Sequence, residues 1–206
     1  AVGSEKIALE DEDARESFEI VREIIKDGIV LSNLSGEATV EEAKRAVDLV
    51  RADAIQIHLN PAQELAQPEG NRKFRNILQN IDLIVAHMDV PVIVKEVGFG
   101  LSKDVIKTLY NIGVRSVDVS GSGGTNFIEI ENLRNVDNDL SELYSWGIPT
   151  ALSVIEAKKL GLNDLEIISS GGVKTASDII KSLVIGADMT AISGEILSYI
   201  IHGGYD

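Results

Sequence analysis

The chain has 206 residues, 44% of them hydrophobic, and a formal charge of −14; it can build one sizeable core, but it offers no basic stripe to displace counterions from a nucleic acid. It contains no Cys, which removes disulfides, thiolate metal sites and Cys nucleophiles. No run reaches the roughly 18 apolar residues of a membrane span, so the sequence reads as cytoplasmic, with neither membrane nor nucleic acid as a partner. A small phosphorylated ligand stays compatible with these totals, because a few backbone N–H groups and one Lys can hold a phosphate locally.

The predicted elements alternate along the chain. Residues 11–26 open with acidic side chains and place Ala14, Phe18, Val21 and Ile25 at helical spacing, with Gly28 beyond as a cap. A short strand follows in IVLSNLS, then a helix to residue 50 whose start carries Thr39 and Glu42 at capping-box spacing. Strands are predicted over 54–60, 92–97, 116–120, 165–169 and 189–193, and helices over about 70–88, 102–112, 149–160 and 175–185. The segments IGVRSVDVSG (112–121) and IGADMTAISG (185–194) echo each other as helix end, Gly cap, strand and Ser-Gly.

A repeated strand–helix alternation implies an α/β fold with a parallel sheet, either open and doubly wound or closed as a TIM (β/α)8 barrel. In a barrel, polar residues alternating with apolar ones near a strand's carboxyl end face the active-site mouth. Gln56, His58 and Asn60 share one face of their strand, Asn33 falls opposite Ser32, Lys95 shares a face with Ile93 and Val97, and Asp118 pairs with Ser120. This favours the barrel, with an open sheet and a crevice at its carboxyl edge as the alternative. No linker composition divides the chain, so residues 1–206 are expected to form one domain.

The glycine motifs SGSGGT (120–125), ISSGG (168–172) and AISG (191–194) follow strand patterns. They suit a phosphate site at helix N-termini, or only tight turns with positive φ. Lys95, in an apolar run, needs either an anionic ligand or a structural ion pair, and the adjacent Glu96 faces the other way. After Ile57, the stretch HLNPAQE gathers His58, Asn60, Gln63 and Glu64 where Pro61 ends the strand; Gln63 and Glu64 are expected in a loop at the mouth. Glu64 could offer oxygen to a hard cation such as Mg²⁺. No zinc spacing is present, His87 and His202 carry no assigned role, and Arg72, Lys73 and Arg75 read as a solvated helix face.

These motifs, HLNPAQE with PEGNRKF, VPVIVKEVGFG, VDVSGSGGT and SSGG, together with the opening AVGS and with LSNL, resemble the type 2 isopentenyl-diphosphate isomerases, which are FMN-dependent (β/α)8 barrels. The resemblance runs in order from the first residues to about Leu197. It implies reversible 1,3-allylic isomerisation of isopentenyl diphosphate to dimethylallyl diphosphate, with reduced FMN and Mg²⁺ required, NADPH as the usual reductant, and a homo-oligomer. It further implies FMN contacts at Ser4, Asn33, Lys95, Ser120 and Thr125, and phosphate-holding loops at Gly171, Gly172, Ala191 and Ser193. Lys95 would then face the negative charge that reduced flavin gathers near N1 and C2=O. Gln63 corresponds to the residue implicated in proton handling, Glu64 to the Mg²⁺ ligand, and His58 and Asn60 to substrate-site residues; Glu131 matches a family acid without an assigned role. The family's Arg-Lys-x-x-His segment and its Thr-Gly-Gly strand are absent from these 206 residues. The expectation is therefore a barrel without its first strand and part of its last helix, a portion of a longer chain. Two rival readings are another FMN barrel doing net hydride chemistry and a silent flavin- or phosphate-binding fragment.

Overall fold

A computed structural model of the chain describes residues 1–135 and 139–203. Six strands, β1 (Leu31–Ser35), β2 (Ala54–His58), β3 (Val92–Lys95), β4 (Ser116–Asp118), β5 (Glu166–Ser169) and β6 (Met189–Thr190), follow chain order in one sheet. Parallel pairing is seen from β1 to β2, β2 to β3 and β5 to β6. The helices are α1 (Lys6–Glu10), α2 (Glu12–Ile24), α3 (Val40–Val50), α4 (Pro61–Ala66), α5 (Ile77–His87), α6 (Lys103–Asn111), α7 (Phe127–Arg134), α8 (Thr150–Lys158), α9 (Ala176–Val184) and α10 (Gly194–Gly203).

The described residues gather into two compact units interleaved in sequence. One comprises Ala1–Leu59, Lys73–Lys95 and Leu109–Ser116; the other comprises Asn60–Arg72, Glu96–Thr108 and the described part of Val117–Asp206. In the first, Ile55, Ile57 and Val94 are fully buried, as are Ala43, Ala46 and Val50 along the inner stripe of α3 and Ile84 of α5. Small side chains at Ala43 and Ala46 keep that helix stripe close-packed. In the second, the buried set includes Val117, Val119, Ile128, Val154, Ala157 and Ile167.

Local signals in the sequence act as expected at several helix ends. Thr39 Oγ1 accepts from the Glu42 N–H (3.2 Å) while Glu42 Oε2 accepts from the Thr39 N–H (2.8 Å), completing the capping box. The two echoing segments both end a helix on a left-handed glycine, Gly113 (φ 98°) after α6 and Gly186 (φ 113°) after α9.

Elsewhere tertiary contacts override the pattern. The helix predicted over 11–26 ends at Ile24, because Arg22 turns to the carbonyls of Gly28 (3.0 Å) and Arg51 (2.6 Å) and to Asp53 (2.7 Å). The helix predicted from about residue 70 begins at Ile77. Arg72 is not on a helix face: its guanidinium donates to the carbonyls of Glu64, Gln67 (2.7 Å) and Gly70 (2.9 Å), holding a loop. Gln63 and Glu64 lie on the short helix α4 rather than in a loop, with Pro61 at its first turn, where a missing N–H costs nothing. Helices α1 and α7 had no counterpart in the sequence pattern.

Strands also stop earlier than predicted. Beyond β3, the Glu96 carboxylate is buried and its Oε2 accepts the backbone N–H groups of Val97 (2.6 Å), Gly98 (2.8 Å) and Phe99 (2.5 Å), bending the chain out of the sheet. Beyond β4, Ser120 is left-handed (φ 36°) and its N–H donates to Asp118 Oδ1 (3.1 Å). Replacing Glu96 by Ala leaves three donors without this acceptor, at about 1 kcal/mol or more each. Glu96→Ala is expected to lose about 3 kcal/mol of stability, read from the urea midpoint at unchanged m-value.

Candidate functional site

In the first unit the register sets a row. Ser35 pairs with His58, and His58 with Lys95, so these three residues end β1, β2 and β3 side by side on one face. One step lower on that face are Asn33, Gln56 and Ile93. Asn33 Oδ1 lies 2.7 Å from His58 Nδ1. An amide oxygen only accepts, so the ring carries its proton on Nδ1 and leaves Nε2 as a bare acceptor. Burial, reinforced by the Lys95 charge, pulls the His58 pKa down to about 4. The imidazole is therefore neutral at pH 7. Lys95 and Asn33 are half-buried, whereas Ser4 is exposed.

A group without an assigned role in the sequence reading sits beside this row. Glu5 is fully buried; its N–H donates to the Asn33 carbonyl (2.9 Å) and its Oε1 accepts the Asn33 N–H (3.1 Å). Burial raises its pKa to about 7, partly offset by the nearby Ser32 hydroxyl and the Asn33 N–H. Despite that proximity, neither Glu5 Oε2 nor Ser32 Oγ meets a partner in hydrogen-bond geometry among the described residues. The sequence signal was faint: a lone acid such as Glu5 reads as solvated until a neighbour covers it.

In the second unit two groups form. On α4, Ala62 and Ala66 pack with Phe99 and Ile128, which presents Gln63 and Glu64 on the less buried side. Glu64 is oriented by both oxygens: Oε1 accepts from Asn60 Nδ2 (2.8 Å) and Oε2 from the Asn71 N–H (2.6 Å). The far end of α4 is tied to α7 through Glu131, which is buried, accepts from Gln67 Nε2 (2.9 Å) and pairs with Arg134 (2.6 Å). Glu131 thus has a structural place that sequence alone did not supply.

The second group joins the glycine loops. Asp118 Oδ1 accepts from Ser170 Oγ (2.5 Å) as well as from the Ser120 N–H. Gly171 and Gly172 are left-handed (φ 94° and 82°), and a Cβ on Gly172 would fall 2.3 Å from the Gly123 carbonyl oxygen. The loops after β4 and β5 touch backbone to backbone, so glycine is required by packing before any ligand is considered. Thr125, at the end of the first loop, is exposed. Ala191 still donates its N–H to the Ser169 carbonyl (3.0 Å), and Ser193 leads directly into α10. The first-turn N–H groups of that helix have no acceptor within it.

Among the described residues no group of three or more His, Cys, Asp or Glu side chains could hold a metal by itself. No helix among them is long and apolar enough to cross a membrane.

Residues 42–206 match the family of FMN-dependent dehydrogenases. Over all 206 residues the chain is 48% identical to an isopentenyl-diphosphate delta-isomerase of Geobacillus sp. (strain WCH70) and 50% identical to one of Bacillus mycoides (strain KBAB4). It spans 58% of the length of each of these curated relatives. It also resembles a solved IMP dehydrogenase/GMP reductase-like protein from Corynebacterium glutamicum, with a TM-score of 0.54, 20% identity, and coverage of 88% of this chain and 43% of that one. That likeness concerns the fold, a partial (β/α)8 barrel.

Glu5 and His58 pull stability in opposite directions with pH. The folded Glu5 holds its proton more tightly than the unfolded one, so its contribution is complete below about 4.5 and is lost as pH rises through about 7. The folded His58 holds its proton less tightly; its contribution is complete above about 6.5 and is lost as pH falls through about 4. Between pH 6.5 and 8 only the Glu5 loss remains of the two. Glu5→Gln is therefore expected to gain thermal stability relative to the parent between pH 6 and pH 8, and parallel curves over that range would refute a buried Glu5 titration.

Proposed function

Since the chain belongs to the FMN-dependent dehydrogenase family, we propose that it serves an isomerase interconverting isopentenyl diphosphate and dimethylallyl diphosphate by 1,3-allylic proton transfer. The observation that carries this reading is the ordered stretch from Asn60 to Asn71, which aims one carboxylate and places Gln63 immediately before it on the same helix turn. The names of the relatives at 48% and 50% identity support it.

The Glu64 carboxylate suits a hard cation, and the FMN contacts are proposed on the family resemblance. Glu64 Oε1 accepts from Asn60 and Oε2 from the Asn71 N–H, and a carboxylate with several lone pairs can also give an oxygen to Mg²⁺. Magnesium commonly keeps several waters and takes one or two carboxylates plus substrate phosphate, which agrees with a site lacking a full protein cage. For FMN, Lys95 would set its positive charge toward the flavin, with Asn33 beside it, while Ser4, Ser120 and Thr125 would contribute further contacts. The amides around Gly171, Gly172, Ala191 and Ser193 would hold its phosphate. When bound and reduced, FMN supplies a flavin able to exchange a proton with the substrate without net redox change.

This chain's own groups then divide the work. His58 offers an unprotonated Nε2 as a hydrogen-bond acceptor and Asn60 holds the carboxylate of Glu64 in place. Gln63 has no useful pKa and so orients the substrate or passes a proton onward rather than serving as a free acid or base. NADPH as reductant, a homo-oligomer and a cytoplasmic location complete the proposal on the strength of the family resemblance.

A flavin oxidoreductase would consume reductant in proportion to product, and a silent binding fragment would form no product. The full chain, incubated with isopentenyl diphosphate, FMN, a reductant and Mg²⁺, is expected to form many equivalents of dimethylallyl diphosphate per equivalent of reductant. Stoichiometric consumption, or no product, overturns the isomerase. Gln63→Ala is expected to lower turnover by at least 100-fold, in the range typical for a group that positions a transferring proton, with the bound-flavin spectrum intact. Glu64→Gln is expected to shift the Mg²⁺ titration to higher concentration; an unchanged titration removes Glu64 from the metal site.

A further inference from the structure

We infer that Glu5 is a positioning residue: by clamping the backbone of Asn33 it fixes the Nδ1–H tautomer of His58. Both backbone polar groups of Asn33 are engaged by this one residue, the carbonyl by the Glu5 N–H (2.9 Å) and the N–H by Glu5 Oε1 (3.1 Å). A two-point hold of this kind restrains the Asn33 backbone and therefore the direction of its side chain, since rotamer choice is coupled to φ and ψ. The side chain so aimed places Oδ1 2.7 Å from His58 Nδ1.

An exposed acid could not act in this way. Glu5 is fully buried and its second oxygen meets no hydrogen-bond partner among the described residues, an arrangement that costs free energy. The neighbouring cation does not compensate it: Lys6 turns to Glu10 (3.0 Å) and Glu42 (2.9 Å) on the outer side. What the arrangement secures is the acceptor state of His58 Nε2. Neutral imidazole exists in two tautomers, and only the one with its proton on Nδ1 leaves Nε2 free to accept.

The inference does not depend on the isomerase reading, because its readout is the ring itself. The full chain would be labelled with ¹⁵N-histidine, His58 assigned by its loss in His58→Asn, and the two ring-nitrogen shifts recorded at pH 7.5. The parent and Glu5→Gln, which keeps an oxygen for the Asn33 N–H, should both show a single Nδ1–H tautomer. Glu5→Met, which fills the volume without an acceptor, should shift His58 to a mixture with at least one third Nε2–H. Glu5→Asp, which withdraws the carboxylate by one methylene, gives an intermediate mixture and serves if Glu5→Met does not fold. Val50→Ala, a core truncation in α3, should leave the shifts unchanged. A single Nδ1–H tautomer in both Glu5→Met and Glu5→Asp, or equal scrambling in Val50→Ala, overturns the proposal. Absence of isomerase activity in the parent would instead count against the function proposed above.

Discussion

Register in the parallel sheet is the constraint on which the polar row of the first unit depends. Side chains alternate faces along a strand, so shifting β2 by one residue would replace His58 in its row by an aliphatic neighbour and send the imidazole to the opposite face. What resists that slip is the opposite face itself: Ile55 and Ile57 of β2 and Val94 of β3 are fully buried. Burying an aliphatic side chain of this size is worth roughly 1.5–3 kcal/mol, and a slip would forfeit several such terms together. The polar row of Ser35, His58 and Lys95 is held in line by the packing beneath it.

In the second unit the corresponding constraint is close approach of backbone to backbone. The loops after β4 and β5 meet where Gly123 and Gly172 have no side chains, and Asp118 reaches Ser170 across the same gap. Packing and ligand binding make the same demand here. Glycine lets two chains touch, and two touching chains bring their amides near one another, where an anion can be shared. The presence of glycine therefore distinguishes neither purpose, and the weight of the phosphate reading rests on the helix starts that follow these loops.

Periodicity made most of the fold legible. Strand and helix alternate with enough apolar contrast for each of β1 to β6 to be located, and Thr39, Glu42, Gly113 and Gly186 mark helix ends through chemistry that acts within a few residues. The polar positions Asn33, His58 and Lys95 on their strands were visible for the same reason, since alternation by two assigns a face. Other features escaped because their causes lie far off in sequence. Arg22 shortens α2 through contacts 29 and 31 residues away, and the Asp118–Ser170 bond spans 52. Helix α7, FIEIENLR, alternates apolar and polar residues as a strand would; Asn126 decides for helix by accepting the Ile128 N–H (3.1 Å). Glu5 and Glu131 look like ordinary surface acids in the sequence, and only their neighbours make them buried.

A neutral imidazole beside an ammonium is more than the sum of two adjacent residues. If His58 held a second proton, two cations would share one wall, and each would lower the other's affinity for its proton. Burial prevents this by disfavouring the imidazolium, so the row formed by Ser35, His58 and Lys95 keeps one formal charge and one uncharged acceptor. In the function proposed above, such a wall would attract an anionic ring through Lys95 and accept a hydrogen bond at His58, without an imidazolium that could give its proton to the wrong atom. The isomerisation proposed above would move a single proton along a hydrocarbon chain, and for that reaction a His58 kept neutral by burial would abstain from proton exchange at neutral pH.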